Sequence, residues 1–328
     1  MPHPFADILR AIARGPTLGR PLDEAEAERA MGLILDGGVE PLQLGGFLLV
    51  LRYRTETAAE LAGFVRAARR RLESPAGPAA DLDWPSYADR HKQQPYFLLA
   101  ALLLAQNGAR VLMHGIAGEG PATTRTGLAA LGVEPSADAA DAARRLDRGG
   151  FAYLPLEALL PRLADLFDLR PQLGLRTPVH TLARALNPFD APAQIQGVFH
   201  PNYLELHQET QIRLGQKRAV TFKGGGGEGQ RNPDKPCRAL WVEDGRGSEE
   251  VWPALPCAGD PWPWRQEPLE PARLAALWNG AWTAPGPAAA VTGTVALCLR
   301  LLGRAADPQA AHGLARAMWA ERRLERAA

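Results

Sequence analysis

Apolar residues in the first part of the chain recur at intervals of three and four, the spacing of one face of an α-helix. Phe5, Ile8, Leu9 and Ile12 make the first such face, and Gly15 closes it. Asp23 with Glu26 reads as a capping box for a second helix, with Leu33, Ile34 and Leu35 in its core and Gly37-Gly38 at its end. Residues 43–51 give a third, and Thr57 with Glu60 opens a fourth whose buried stripe is Leu61, Phe64, Val65, Ala68 and Leu72. Arg66, Arg69, Arg70 and Arg71 crowd the end of that helix, where cations complement the helix dipole. Residues 1–75 are therefore expected to form a small all-helical domain.

Beyond the Pro- and Gly-rich linker 74–78 the period changes. Short apolar runs at 110–114, 151–154, 195–198 and 219–222 predict strands. Helical stretches at 97–106, 126–131, 137–148 and 203–214 alternate with them, and 159–186 reads as helix broken near Pro171 and Pro178. Residues 243–270 read as turns carrying Trp252, Trp262 and Trp264, and two apolar helices, 288–302 and 308–324, close the chain. The expected fold class is α/β, with residues 76–328 as the larger domain.

Composition narrows the function classes. Hydrophobic residues make up 46% of the 328 and the net charge is +1, so a uniformly basic protein is excluded and any affinity for polyanions must be local. Cys237, Cys257 and Cys298 are far apart and odd in number, with neither a disulfide framework nor zinc spacing. No metal site or cofactor is read. A reducing cytoplasm is the expected compartment. No basic-then-apolar leader is present at the N-terminus, and the longest apolar run, 97–105, is too short for a bilayer, so no membrane association is expected.

One local patch departs from that neutrality. Of 37 Lys and Arg, only Lys92, Lys217, Lys223 and Lys235 are lysine, and three of these lie between Arg213 and Arg238. That stretch holds seven basic residues against Glu228 and Asp234. Within it a short strand runs into four glycines, 224–227. A glycine turn lets backbone N–H groups approach an anion, and lysine supplies a compact, mobile charge. Lys217, Arg218, Lys223, Gly224, Gly225, Arg231 and Lys235 are thus candidates for a phosphate-binding rim; the other reading is a solvated hairpin loop.

Several segments together resemble the anthranilate phosphoribosyltransferase and nucleoside phosphorylase superfamily, glycosyltransferase family three. The carriers are Arg52-Tyr53-Arg54-Thr55-Glu56-Thr57 before a helix, His114-Gly115 with Leu131-Gly132-Val133, and Leu173-Gly174-Leu175-Arg176-Thr177 with Leu186-Asn187-Pro188. The resemblance implies a homodimer, a small helical domain beside a larger α/β domain of the nucleoside phosphorylase/phosphoribosyltransferase type, and a phosphosugar cleft between them. It also implies that part of 159–186 packs back on the helical domain.

The family's catalytic motifs are missing. Its Gly-Thr-Gly-Gly-Asp pyrophosphate loop is replaced by 84–94, which contains no glycine and carries Arg90, His91 and Lys92. Its Asn-x-Ser-Thr is Pro95-Tyr96-Phe97-Leu98, and its Lys-His-Gly-Asn-Arg is Met113-His114-Gly115-Ile116-Ala117. Where the family holds Mg²⁺ with an Asp-Glu pair, Gly227-Glu228 stands beside an added Lys223. Arg170 matches an acceptor-binding arginine, so His114, Arg170 and Arg176 form the residual family pocket.

These losses, with the turn Phe222-Lys223-Gly224-Gly225-Gly226-Gly227-Glu228-Gly229, resemble the YbiB-like branch, which binds nucleic acid without sequence preference. The expected function is binding of single-stranded DNA or RNA by a homodimer. Arg90 and Lys92 would form one basic cluster and the rim the other, with Tyr87, Tyr96, Trp252, Trp262 or Trp264 stacking on bases. Neutralising about six phosphates would give a log–log salt slope of about −4 to −5. Two alternatives remain. One is a pentosyltransferase acting on a phosphorylated ribose or nucleotide, with His114 and Glu228 as acid–base groups. The other is an inherited fold that recruits a protein partner.

Overall fold

The computed structural model describes residues 3–73, 80–88, 92–255 and 261–323, so the expected linker at 74–78 falls outside the described residues. A helical bundle comes first: α1 (Phe5–Ala13), α2 (Glu24–Leu35), α3 (Pro41–Arg54) and α4 (Ala58–Arg69). Both expected capping boxes are present, Asp23–Glu26 and Thr57–Glu60. Glu60 also accepts the Leu22 N–H at 2.9 Å and pairs with Arg54, so a fully buried carboxylate is satisfied by three segments of the bundle.

The α/β domain follows in the order β1 (Leu82–Ser86), α5 (Phe97–Gln106), β2 (Val111–Gly115), α6 (Thr124–Ala130), α7 (Ala139–Gly149) and β3 (Phe151–Pro155). Four short helices come next, α8 (Leu156–Leu159), α9 (Pro161–Ala164), α10 (Arg170–Leu173) and α11 (Val179–Arg184). Then come β4 (Ala193–Val198), α12 (Leu204–Arg213), β5 (Arg218–Lys223), β6 (Cys237–Glu243), β7 (Arg246–Trp252), α13 (Ala272–Trp278), α14 (Pro285–Leu301) and α15 (Pro308–Ala320). The sheet order is β3-β2-β1-β4-β5-β6-β7, with β1 to β5 parallel and the last two strands antiparallel.

Strand alternation divides the interior. Leu82, Trp84, Val111, Met113, Ile195, Val220 and Phe222 face one apolar core, shared with α5 and α14. Leu112, Ala152 and Leu154 belong to the other, which also holds Phe5, Phe47, Phe64, Leu163, Val179 and Leu182. The helical bundle, the 159–186 helices and one sheet face therefore share a single core.

Four elements depart from the sequence expectation. β1 occupies residues given no strand, because its five-residue LDWPS run mixes Asp, Pro and Ser with only two large apolar residues. β7 lies within the 243–270 stretch read as turns, while β6 and α13 occupy residues on either side of it for which no element is predicted. The turn between β6 and β7 is Asp244-Gly245, with both residues at positive φ and Glu243 opposite Arg246, the pattern of a two-residue hairpin loop. Among the described residues no helix is long and apolar enough to cross a membrane.

Candidate functional site

The strand order reverses direction between β1 and β4, so a crevice is expected at their carboxyl ends. Here that crevice is occupied by the chain itself. After β5, residues 224–230 fold back across it. Gly224 donates to the Val198 carbonyl at 3.0 Å, and Gly225 to Gln230 at 2.7 Å. Gly227 donates to Gly224 at 3.1 Å, Glu228 to Gly225 at 3.2 Å, and Gln230 to Glu228 at 2.7 Å. The glycines serve this close packing: a Cβ at Gly224 would lie 1.6 Å from the Glu228 carbonyl oxygen, and one at Gly197 on β4 would lie 2.0 Å from it. The expectation that the loop's N–H groups cradle an anion is thus corrected, since those N–H groups of Gly224, Gly225 and Gly227 bond within the protein.

The loop carries Glu228 inward, leaving it 2% exposed. Its Oε1 accepts the Ala88 N–H at 2.7 Å, and Arg176 donates to the Ala88 carbonyl, so the two chain segments are bound through one residue's backbone. Burial pushes the Glu228 carboxyl up to about 7, against the opposing pull of Arg184, the Ala88 N–H, Ser86 and Arg176. The N-terminus of α5 is closed in the same way, because the Phe97 N–H donates to Gln230 Oε1 at 3.0 Å. A Mg²⁺–diphosphate group does not fit these residues. Glu228 is a single, buried carboxylate committed to Ala88, and among the described residues no three His, Cys, Asp or Glu side chains group to hold a metal.

His114 lies on the sheet face toward the helical bundle, fully buried. Its Nδ1 is 2.7 Å from the Tyr87 hydroxyl and its Nε2 is 3.2 Å from Asp83. Asp83 accepts from Gln194, which in turn accepts from Gln196 and Gln211. This polar layer runs across β2, β1 and β4, with Gln211 contributed from α12, and makes His114 a satisfied internal residue. Arg170 opens α10, half-buried.

The basic stretch is divided by β5. Lys217 and Arg218 stand at the start of the strand and Lys223 at its end, about 17 Å away at a rise near 3.3 Å per residue. Arg218 lies beside Gly303. Lys235 is two residues before β6, whose antiparallel pairing of Ala239 with Phe222 places it at the Lys223 end. Lys92 joins them, since its neighbour Gln93 reaches Gly225, where a Cβ would lie 2.6 Å from Gln93 Oε1. Arg90 and His91 fall outside the described residues.

Arg231 is a correction. It is fully buried, with its guanidinium 2.8 Å from His312 Nε2, donating to the Pro253 carbonyl and lying 5.6 Å over the Trp252 ring. It holds the loop after β5 to α14 and α15 and reaches no solvent phosphate. Burial lowers its own pKa and brings the His312 imidazole down to about 4, leaving that nitrogen an acceptor. The expected stacking rings are corrected too. Tyr87, Tyr96 and Trp252 are fully buried, Trp264 is nearly so and donates to Asp234 at 2.5 Å, and Trp262 is half-buried among Trp264 and Trp282.

What survives at the surface is a set of free cations. All four lysines are exposed, and among the described residues none has a carboxylate partner. The arginines behave differently: Arg66, Arg70, Arg71 and Arg238 all pair with acids. Lys92, Lys223 and Lys235 thus rim the filled crevice with unneutralised charge. Phe199, which follows β4, escaped the sequence reading because a lone Phe carries no signal; it is 53% exposed beside this rim.

Residues 6–72 match the glycosyl transferase family, helical bundle domain, and residues 97–246 match the glycosyl transferase family, a/b domain. The chain is 30% identical over 262 residues to the uncharacterized protein YbiB of Escherichia coli (strain K12), covering 78% of this chain and 81% of that one. It is 30% identical over 244 residues to the anthranilate phosphoribosyltransferase of Methylocella silvestris, covering 73% and 69%. Among solved structures, the anthranilate phosphoribosyltransferase of Thermus thermophilus superposes with a TM-score of 0.77 at 27% identity, covering 92% of each chain. The Saccharomyces cerevisiae enzyme in complex with PRPP and Mg gives the same score at 15% identity, covering 98% and 96%, a likeness of fold alone.

Proposed function

Since the chain belongs to the glycosyl transferase family of helical bundle and a/b domains, we propose that it has kept this fold and exchanged phosphoribosyl transfer for the binding of single-stranded DNA or RNA without sequence preference. The observation that carries the reading is the filled switch-point crevice under a rim of unpaired lysines. Glu228 and Gln230 occupy backbone N–H groups of Ala88 and Phe97, while Lys92, Lys223 and Lys235 keep their charge for solution. A crevice crossed by the chain's own loop, with a cationic rim beside it, suits an extended polyanion lying across the surface better than a small diphosphate held inside.

The division of the basic stretch revises the expected charge count. With Lys217 and Arg218 at the far end of β5 and Arg231 buried, about three to five phosphates per rim gives a salt slope of about −2 to −3.5. The strand follows the Lys223 end. The pentosyltransferase alternative needs Glu228 to leave Ala88 and act on a substrate; rapid metal-dependent turnover of phosphoribosyl pyrophosphate by the pure protein would establish it over the binding reading. Titration of fluorescent oligonucleotides across salt tests the proposal.

The same reading has the protein pair with a second copy through α3. That helix buries Phe47, Leu48 and Leu51 but exposes Leu42 at 89%, Leu49 at 39% and Tyr53 at 95%. Between them Gly45 and Gly46 have open space where a side chain would stand, room for another helix to approach.

A further inference from the structure

We propose that Phe199 is the platform on which a base of the bound strand stacks, while Lys223 holds the adjoining phosphate. The inference rests on the nucleic-acid reading above and deepens it. Val198 and Lys223 are register partners at the ends of β4 and β5, and Gly224 donates to the Val198 carbonyl at 3.0 Å. Phe199 and Gly224 therefore leave the sheet side by side. The glycine loop then turns back against the root of the Phe199 side chain: a Cβ at Gly227 would lie 3.2 Å from that of Phe199. The root is fixed and the ring is open.

His200 adds a second exposed ring, edge-on to the first with centroids 4.9 Å apart at 81°. Among the described residues around the crevice, Trp84, Tyr87 and Tyr96 are fully buried. Among the described residues Phe199 and Tyr53 are the large aromatic rings left exposed, and Tyr53 lies on α3 of the helical bundle. An exposed phenyl ring one residue beyond Val198, the register partner of the unpaired Lys223, supplies at neighbouring strand ends what the two halves of a nucleotide need, a ring for the base and a cation for the phosphate. Every base has a π-face, so such a platform tolerates any sequence.

The test compares oligothymidine, oligouridine and an abasic strand of equal length by fluorescence anisotropy. Wild type, Phe199→Ala, Phe199→Trp and Lys223→Ala are measured. Phe199→Ala is expected to weaken both base-bearing strands on the order of 5- to 100-fold, with the abasic strand unchanged. Phe199→Trp restores the affinity, and Lys223→Ala weakens all three strands alike. Wild-type affinity of Phe199→Ala for the base-bearing strands, or an equal loss on the abasic strand, overturns the platform and leaves the lysine rim standing. Absence of binding of any strand by the wild type overturns both.

Discussion

The carbonyl oxygen of Glu228 stands so near the α-carbon of Gly224 that a methyl group built there would lie 1.6 Å from it. This contact closes the loop over the crevice and turns the Glu228 side chain inward to Ala88. Gly224→Ala must therefore displace the loop and is expected to cost about 3 kcal/mol or more. Gly226→Ala, at φ +68 with open space around it, meets only backbone strain of about 1–2 kcal/mol. Chemical denaturation of the two variants checks the difference; equal losses would mean that the loop does not pack as described.

Glu228 also sets a pH dependence. Its folded pKa is raised from 4.5 to about 7, so the folded chain holds a proton that the unfolded chain releases. The stability linked to that proton is fully present below about 4.5 and lost as pH rises through about 7, a change on the order of 3 kcal/mol. Glu228→Gln keeps an acceptor for Ala88 without the charge. Its melting temperature relative to wild type should climb between those two pH values and then level; a constant difference would contradict the burial of an ionisable group there.

The two ends of β5 should behave differently. Lys223→Ala is expected to weaken single-strand binding and flatten the log–log salt slope by about 0.7. Lys217→Ala, at the opposite end of the strand, should leave both unchanged. Salt titrations of the two variants decide it, and a larger effect at Lys217 would move the interface to the amino end of β5.

Arg231 belongs to folding rather than to binding. Arg231→Met leaves the Pro253 carbonyl and the His312 nitrogen without their donor, an expected cost of about 1–3 kcal/mol. Thermal melts should show the loss while the salt slope stays at its wild-type value. A reduced slope in a well-folded variant would return this residue to the rim.

For the α3 face, Leu49→Glu with Tyr53→Glu places charge at the centre of the exposed stripe. Light scattering should find a dimer for the wild type and a monomer for the double variant. A wild-type monomer at micromolar concentration would dismiss the pairing.

Much of the fold was legible because its signals are periodic. The capping boxes at Asp23 and Thr57 and the apolar runs of β2, β3, β4 and β5 need only neighbouring residues to be read. β1 was not, since Asp83 and Ser86 look like loop residues until Gln194, His114 and Thr124 are placed around them. Asp244-Gly245, between Glu243 and Arg246, carries the signature of a two-residue hairpin turn in the sequence itself. The site was half legible. The scarcity of lysine marked its free cations, whereas arginine count misled at Arg231, whose partners lie on segments far along the chain. Aromatic content misled similarly: Trp252 and Tyr96 look available in a sequence, and only packing shows that they are buried while Phe199, beside the loop, is open.

The central claim is that a rim of unpaired lysines beside the loop-crossed crevice binds single strands. The most direct measurement is the dissociation constant of oligothymidine across a salt series, set beside duplex DNA of equal length. The account predicts tighter binding of the single strand and a log–log slope of about −2 to −3.5. A slope near zero, or no binding at moderate salt, would contradict it.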